Sequence, residues 1–175
     1  MKKIFFALVL FVSSLTFSQV SAVKHGFSTN FYGLTSSGSN IYVGGSLDLF
    51  RSSDDGATWD STLIVESTFG QIPGINNVEG IMMDSTGTGF MVGFTNLGNP
   101  YSVFKTVNNG NTWDIVFQES GNLPSYLKDI IKASNGDLYT CGTYGKMFKS
   151  SDGGSNWESI NIYGSDECNE MVFFQ

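Results

Sequence analysis

Short apolar runs separated by clusters of Gly, Ser, Asn and Asp recur along this chain. Ile41-Tyr42-Val43-Gly44, Phe90-Met91-Val92-Gly93 and Tyr139-Thr140-Cys141-Gly142 are each β-rich and end in glycine. A turn cluster precedes each of them (Ser36 to Asn40, Ser85 to Gly89, Ser134 to Asp137), and a further apolar run precedes that (Phe31 to Leu34, Ile81 to Met83, Ile130 to Ile131). Runs of this length bounded by turn residues predict short strands, and few good helix formers recur at helical spacing.

An eight-residue pattern closes each unit: SSDDGATW (Ser52 to Trp59), TVNNGNTW (Thr106 to Trp113) and SSDGGSNW (Ser150 to Trp157). In all three a hydroxyl residue comes first (Ser52, Thr106, Ser150), Asp or Asn third (Asp54, Asn108, Asp152), Gly fifth (Gly56, Gly110, Gly154) and Trp eighth (Trp59, Trp113, Trp157). The third residue can accept backbone N–H bonds from two or three residues on, and the glycine can take φ > 0. The Trp is expected to open the next strand and bury its ring. It lies 15, 20 and 15 residues after Gly44, Gly93 and Gly142, so the middle unit carries a five-residue insertion within Thr95 to Tyr101. Each unit thus reads strand, turn, strand, hairpin, strand, octapeptide, strand, the content of one propeller blade.

The octapeptides resemble the Asp-box, or BNR repeat, of β-propellers in sialidases, sortilin-type receptors, xyloglucan-cleaving glycosidases and photosystem II stability/assembly factor-like proteins. The resemblance covers nearly the whole chain after its leader. It implies an all-β fold of four-stranded antiparallel blades, with the box as a structural hairpin between a blade's third and fourth strands, remote from any active centre. Blades are expected at Phe27 to Glu66, Asn76 to Gln118 and Ser125 to Tyr163, with Ser67 to Ile75 and Glu119 to Pro124 as crossings. Residues 168 to 175, ending in EMVFFQ, have the look of the innermost strand of a fourth blade. A fragment of a longer protein is the expectation, with a short chain that closes by self-association as the alternative.

Lys2 and Lys3 precede the apolar run Ile4 to Val12, and Ser13 to Ala22 turns small and polar, the layout of a secretory signal peptide over residues 1–22 with cleavage after Ala22 or Ser18. The apolar run falls short of the roughly 18–20 residues that span a bilayer. The expectation is a secreted, periplasmic or cell-surface module; an uncleaved anchor is the alternative. Residues 23–175 suffice for one domain. The net charge of −7 argues against a nucleic-acid partner, which calls for a basic face.

Candidate chemistry is sparse. Sialidase-type enzymes hold a substrate carboxylate with three Arg, whereas this chain has Arg51 alone, expected at a strand end facing solvent. A glycosidase needs two carboxylates across a cleft. Asp54 and Asp152 belong to octapeptides, Asp55, Asp60, Asp114 and Glu158 flank them, and no spacing pairs any two of Asp84, Asp129 and Asp137. The DDG at Asp54 to Gly56 lacks the alternating ligands of a calcium loop, and His25 is the single histidine, so no metal and no cofactor are expected. Cys141 and Cys168 are either a disulfide or two buried thiols. Tyr32, Tyr101, Tyr126, Tyr144 and Tyr163 fall in or near turns, where exposed rings can stack on sugars or peptides. The reading is a non-catalytic module that binds protein or glycan; the alternative is the N-terminal part of a secreted glycoside hydrolase.

Overall fold

The computed structural model describes residues 30–46, 49–60, 75–95, 101–118, 126–161 and 168–172. The leader, His25, the blade crossings, most of the insertion, Tyr163 and Phe173 to Gln175 lie outside the described residues.

The described chain forms three antiparallel sheets, each ordered as its strands follow in sequence. The first holds β1 (Phe31–Ser37), β2 (Asn40–Gly45) and β3 (Leu49–Ser52). The second holds β4 (Ile75–Met83), β5 (Gly89–Thr95), β6 (Ser102–Thr106) and β7 (Asp114–Gln118). The third holds β8 (Leu127–Lys132), β9 (Leu138–Gly142), β10 (Lys146–Ser150) and β11 (Glu158–Asn161). These are blades of a β-propeller. In the first sheet the fourth strand is represented, among the described residues, by the single bridge between Arg51 and Asp60.

The ladders fix which residues are equivalent. Ile41 faces Ser52, Gly89 faces Thr106 and Leu138 faces Ser150, so Tyr42, Phe90 and Tyr139 occupy one position and Arg51, Lys105 and Lys149 another. Gly45, not Gly44, is thereby the counterpart of Gly93 and Gly142, one residue away from the alignment the sequence suggests.

The sheets stack face to face with the first strands β1, β4 and β8 side by side. Tyr42 and Leu49 of the first sheet pack on Ile81, Met91, Phe104 and Trp113 of the second. Phe90, Val92 and Val103 of the second pack on Leu127, Ile130, Leu138 and Phe148 of the third. A central sheet buries both its faces, which is why Phe90-Met91-Val92 reads as a continuous apolar run rather than an alternating one. Glycine permits the closest approaches: a Cβ on Gly33 would stand 3.1 Å from the Ile81 side chain, and one on Gly80 would stand 2.8 Å from Asp129 Cα.

The expected innermost strand of a fourth blade lies partly outside the described residues; its described part, Cys168 to Val172, has no strand ladder. The segment is instead pinned at separate points. Cys168 is disulfide-bonded to Cys141, its N–H donates to the Gly142 carbonyl at 3.1 Å, and the Met171 N–H donates to Asp129 Oδ2 at 2.7 Å. Asp129 faces Cys141 as Gly80 faces Val92, so a carboxylate stands where glycine elsewhere admits the next inner strand. It captures the Met171 backbone N–H.

Gly154 and Gly56 hold the same octapeptide position with φ of 88° and 87°. A Cβ on Gly154 would meet the Phe90 ring at 2.6 Å, whereas one on Gly56 meets nothing closer than 3.6 Å. Gly154→Ala should therefore destabilise the chain by about 1–3 kcal/mol more than Gly56→Ala, since backbone strain is common to both and overpacking is not; urea unfolding of the two variants measures the difference.

Candidate functional site

The octapeptides occupy one end of the sheets. In each, the first hydroxyl is buried and accepts the N–H of the fifth-position glycine: Gly56 N to Ser52 Oγ at 2.8 Å, Gly110 N to Thr106 Oγ1 at 3.0 Å, Gly154 N to Ser150 Oγ at 2.9 Å. The same hydroxyl donates to the third residue, at 2.8 Å in Ser52–Asp54 and 2.9 Å in both Thr106–Asn108 and Ser150–Asp152. That residue reaches further than the sequence suggests, accepting the N–H four residues on: Thr58 at 2.8 Å, Thr112 at 3.0 Å and Asn156 at 2.9 Å. The indole N–H of Trp59, Trp113 and Trp157 closes the loop on the carbonyl of Gly56, Gly110 and Gly154. Positive φ extends to the fourth residue, Asp55, Asn109 and Gly153, as well as the glycine. These hydroxyl, carboxyl, amide and indole groups are spent on the turn itself.

Two side chains beside the octapeptides behave differently from expectation. Arg51 does not end in solvent; its guanidinium donates to the Asn109 carbonyl at 3.1 Å and to Asn111 Oδ1 in the next sheet. Trp59 is not buried, because among the described residues no sheet lies in front of the first one, whereas Trp113 is wedged between two sheets.

The opposite end carries the candidate site. Besides a register shift of β4 between Ile75 and Asn77, the three inner strands share a bulge, between Phe31 and Gly33, Val78 and Gly80, and Leu127 and Asp129. The extra residues are Tyr32, Glu79 and Lys128. A bulge re-aims the side chain it inserts. Lys128 Nζ pairs with Glu79 Oε2 at 3.4 Å and lies 5.7 Å from the Tyr126 ring centroid, while Asn77 Nδ2 donates to Glu79 Oε1. The Tyr32 hydroxyl accepts from Asn30 Nδ2 and Ser46 Oγ, each at 3.4 Å.

Aromatic rings lie beside Lys128. Tyr126 meets Tyr101 edge-on at 4.7 Å, and Tyr101 meets Phe94 at 5.2 Å. Tyr101 is not the exposed ring its turn position suggests: it is buried, and burial, reinforced by the charge of Glu79, pushes its hydroxyl well above the usual tyrosine range. Tyr32, Tyr126 and Tyr144 do present exposed rings. Tyr144 sits at φ 60° in a short 3-10 turn, Thr143–Gly145, clamped to Tyr126 by Thr143 N to Tyr126 O at 2.9 Å and Tyr126 N to Thr143 Oγ1 at 3.0 Å. A left-handed tyrosine is uncommon and here lifts its ring off the sheet.

The described carboxylates that sequence singled out have structural partners. Burial raises Asp129 above the usual carboxylate range, opposed by the N–H groups of Met171 and Ile130. Asp137 is held low by Lys149 at 3.0 Å. Burial also pushes Asp84 upward, but Thr86, Thr88 and Lys132 outweigh it and leave it low. Among the described residues no group of three or more His, Cys, Asp or Glu is set to hold a metal ion. Glu79 and Lys128 escape sequence reading; the signal they leave is a charged residue one position before the Gly80 or Asp129 equivalent, visible only once the strands are in register.

No protein-family model matches the chain, and no curated protein does either. Solved structures do. YCF48 from Cyanidioschyzon merolae is similar at 15% identity and a TM-score of 0.56, over 78% of this chain and 38% of that one. An ancestral GH74 enzyme is similar at 14% identity and a TM-score of 0.58, over 78% and 18%. The GH74 xyloglucanase from Xanthomonas campestris is similar at 15% identity and a TM-score of 0.50, over 70% and 20%. The likeness is one of fold, and the chain spans well under half the length of each of these structures.

The octapeptide carboxylates give a pH signature. Hydrogen bonds from the Thr58 hydroxyl and N–H and from Ser52 lower Asp54 to about 2, and those from Asn156 and Ser150 lower Asp152 to about 2. A group depressed on folding stabilises the native state above its unfolded value and loses that contribution as pH falls through the folded one. Stability should therefore decline between about pH 4 and pH 2, and an Asp54→Asn, Asp152→Asn variant should show a shallower decline in thermal unfolding across that window.

Proposed function

We propose that this chain is an exported, non-catalytic β-propeller module that binds a protein partner through the end of its sheets opposite the octapeptides. In this reading the octapeptides are Asp-boxes, and the module is most like the photosystem II stability/assembly factor-like group, with no photosynthetic role implied. The observation that carries it is the pairing of two bulged residues, Glu79 and Lys128, across sheets beside the exposed ring of Tyr126, with the exposed rings of Tyr32 and Tyr144 at the same end. Rings with one polar tip, beside a paired acid and base, suit a peptide surface, which offers both apolar side chains and charged ends. Fold alone assigns no partner, since propellers host many functions.

The second reading, a fragment of a glycoside hydrolase, draws on the likeness to GH74 structures. Against it stand the partners of the described carboxylates: Glu79 with Lys128, Asp137 with Lys149, Asp129 with backbone N–H groups. An inverting or retaining pair needs one carboxylate protonated and one free across a cleft.

A peptide array and a glycan array probed with the exported chain separate the readings. Peptide binding should appear and fall at least about tenfold on Tyr126→Ala or Lys128→Ala, the scale of a lost interface anchor, while Asn156→Ala at the other end leaves it unchanged. Binding confined to glycans, or reducing-sugar release from xyloglucan, would overturn the proposal.

A further inference from the structure

We infer that the segment Cys168 to Val172 is a positioning brace for Lys128, and that the disulfide holding it places the Glu79–Lys128 pair under redox control. Lys128 is the residue that β8 inserts at its bulge: Leu127 faces Gly142 and Asp129 faces Cys141, so no residue stands opposite Lys128 in the ladder. Where its side chain goes depends on how the backbone around it is held. The segment fastens to three of the four residues that frame the bulge. Cys168 is bonded to Cys141, its N–H donates to the Gly142 carbonyl at 3.1 Å, and the Met171 N–H donates to Asp129 Oδ2 at 2.7 Å.

The other two bulges are held differently. A Cβ on Gly33 would stand 3.3 Å from Ile81 N and 3.4 Å from the Glu79 carbonyl oxygen, and one on Gly80 would stand 2.8 Å from Asp129 Cα and 3.0 Å from the Lys128 carbonyl oxygen. Each of those bulges thus rests on the backbone of the neighbouring inner strand. Gly33, Gly80 and Asp129 hold one register position, and at Asp129 the contact comes from Met171. Asn169, Glu170 and Val172 of the segment are exposed, so little apolar burial keeps it in place and the covalent tie carries most of the hold.

The same brace reaches Tyr126. Gly142 leads into the turn whose Thr143 clamps Tyr126 through both of its polar backbone groups, and Gly142 lies so close to the Tyr126 carbonyl that a Cβ there would stand 2.0 Å from it. A shift of Gly142 is therefore felt at Tyr126, over whose ring Lys128 sits while it pairs with Glu79. A dithiol reductant releases the brace. Its thiolate attacks Cys168, which is part-exposed where Cys141 is buried. The S–S bond breaks with the Cys141 sulfur leaving as thiolate, and the second thiol of the reductant then displaces Cys168. The protein ends with two thiols, protonated by the two protons the reductant gives up, and the reductant ends as its own disulfide. The consequence for binding rests on the peptide surface proposed above; the brace itself does not.

Amide hydrogen exchange and lysine labelling of the exported chain, before and after dithiothreitol, test this. On reduction the Tyr126 and Thr143 amides should exchange at least about tenfold faster, while those of Gly110 and Gly154 at the octapeptide end keep their rates. Lys128 should become several-fold more reactive toward an amine-acylating reagent, and Lys132, paired with Asp84 on the same strand, should not change. Cys168→Ser should match the reduced chain and be blind to dithiothreitol, and reoxidation of the parent should restore both readouts. Peptide affinity should fall together with them; release of Tyr126 and Lys128 with peptide binding unchanged upholds the brace and counts against the proposed binding surface. Exchange and labelling that ignore reduction, or an equal acceleration at Gly110 and Gly154, would overturn the inference.

Discussion

A buried hydroxyl capturing a glycine N–H four residues on is the contact from which the rest of this structure follows. In Ser52, Thr106 and Ser150 it shapes a turn with two successive residues at positive φ. That turn presents a carbonyl and a bare glycine to the sheet in front, and an aromatic ring there fills the space a Cβ would need. Local hydrogen bonding and inter-sheet packing are therefore one device. An unsatisfied buried N–H costs about 1–3 kcal/mol, so losing the hydroxyl would loosen the turn and, through it, the junction between sheets.

The two ends of the sheets divide the work. At the octapeptide end the backbone is pinned by side chains of the turn and of the neighbouring sheet. At the other end the inner strands bulge, and the residues thrown out of register are a tyrosine, a glutamate and a lysine, of which the glutamate and the lysine pair across sheets. Rigid scaffolding on one side and re-aimed side chains on the other is how a repeat architecture acquires a site without giving up its stack.

Much of the fold was legible because octapeptide and strand patterns are local. The third, fifth and eighth positions announce the turn, and the alternation of apolar runs with Gly and Ser clusters announces the strands. What was not legible depends on neighbours in space. Arg51 looks like a solvent-facing strand end until the next sheet supplies the Asn109 carbonyl. Tyr101 looks like a turn residue until Phe94 and Tyr126 close over it. Whether Cys141 and Cys168 pair is not in their spacing; the structure bonds them, with Cys141 at the register position that Val92 holds in the preceding sheet. The candidate site was missed for the same reason, since a bulge shifts Glu79 and Lys128 by one position and no sequence period marks it.

The central claim is that the octapeptide turns are held by the sheet in front of them as much as by their own hydrogen bonds. Amide hydrogen exchange of the three glycines tests it directly because Gly56, Gly110 and Gly154 donate almost identical local bonds. The account predicts that Gly110 and Gly154, seated on Tyr42 and Phe90, exchange only with global opening, while Gly56, with no sheet in front of it among the described residues, exchanges much faster. Equal protection at all three would contradict it and make the turn a purely local structure.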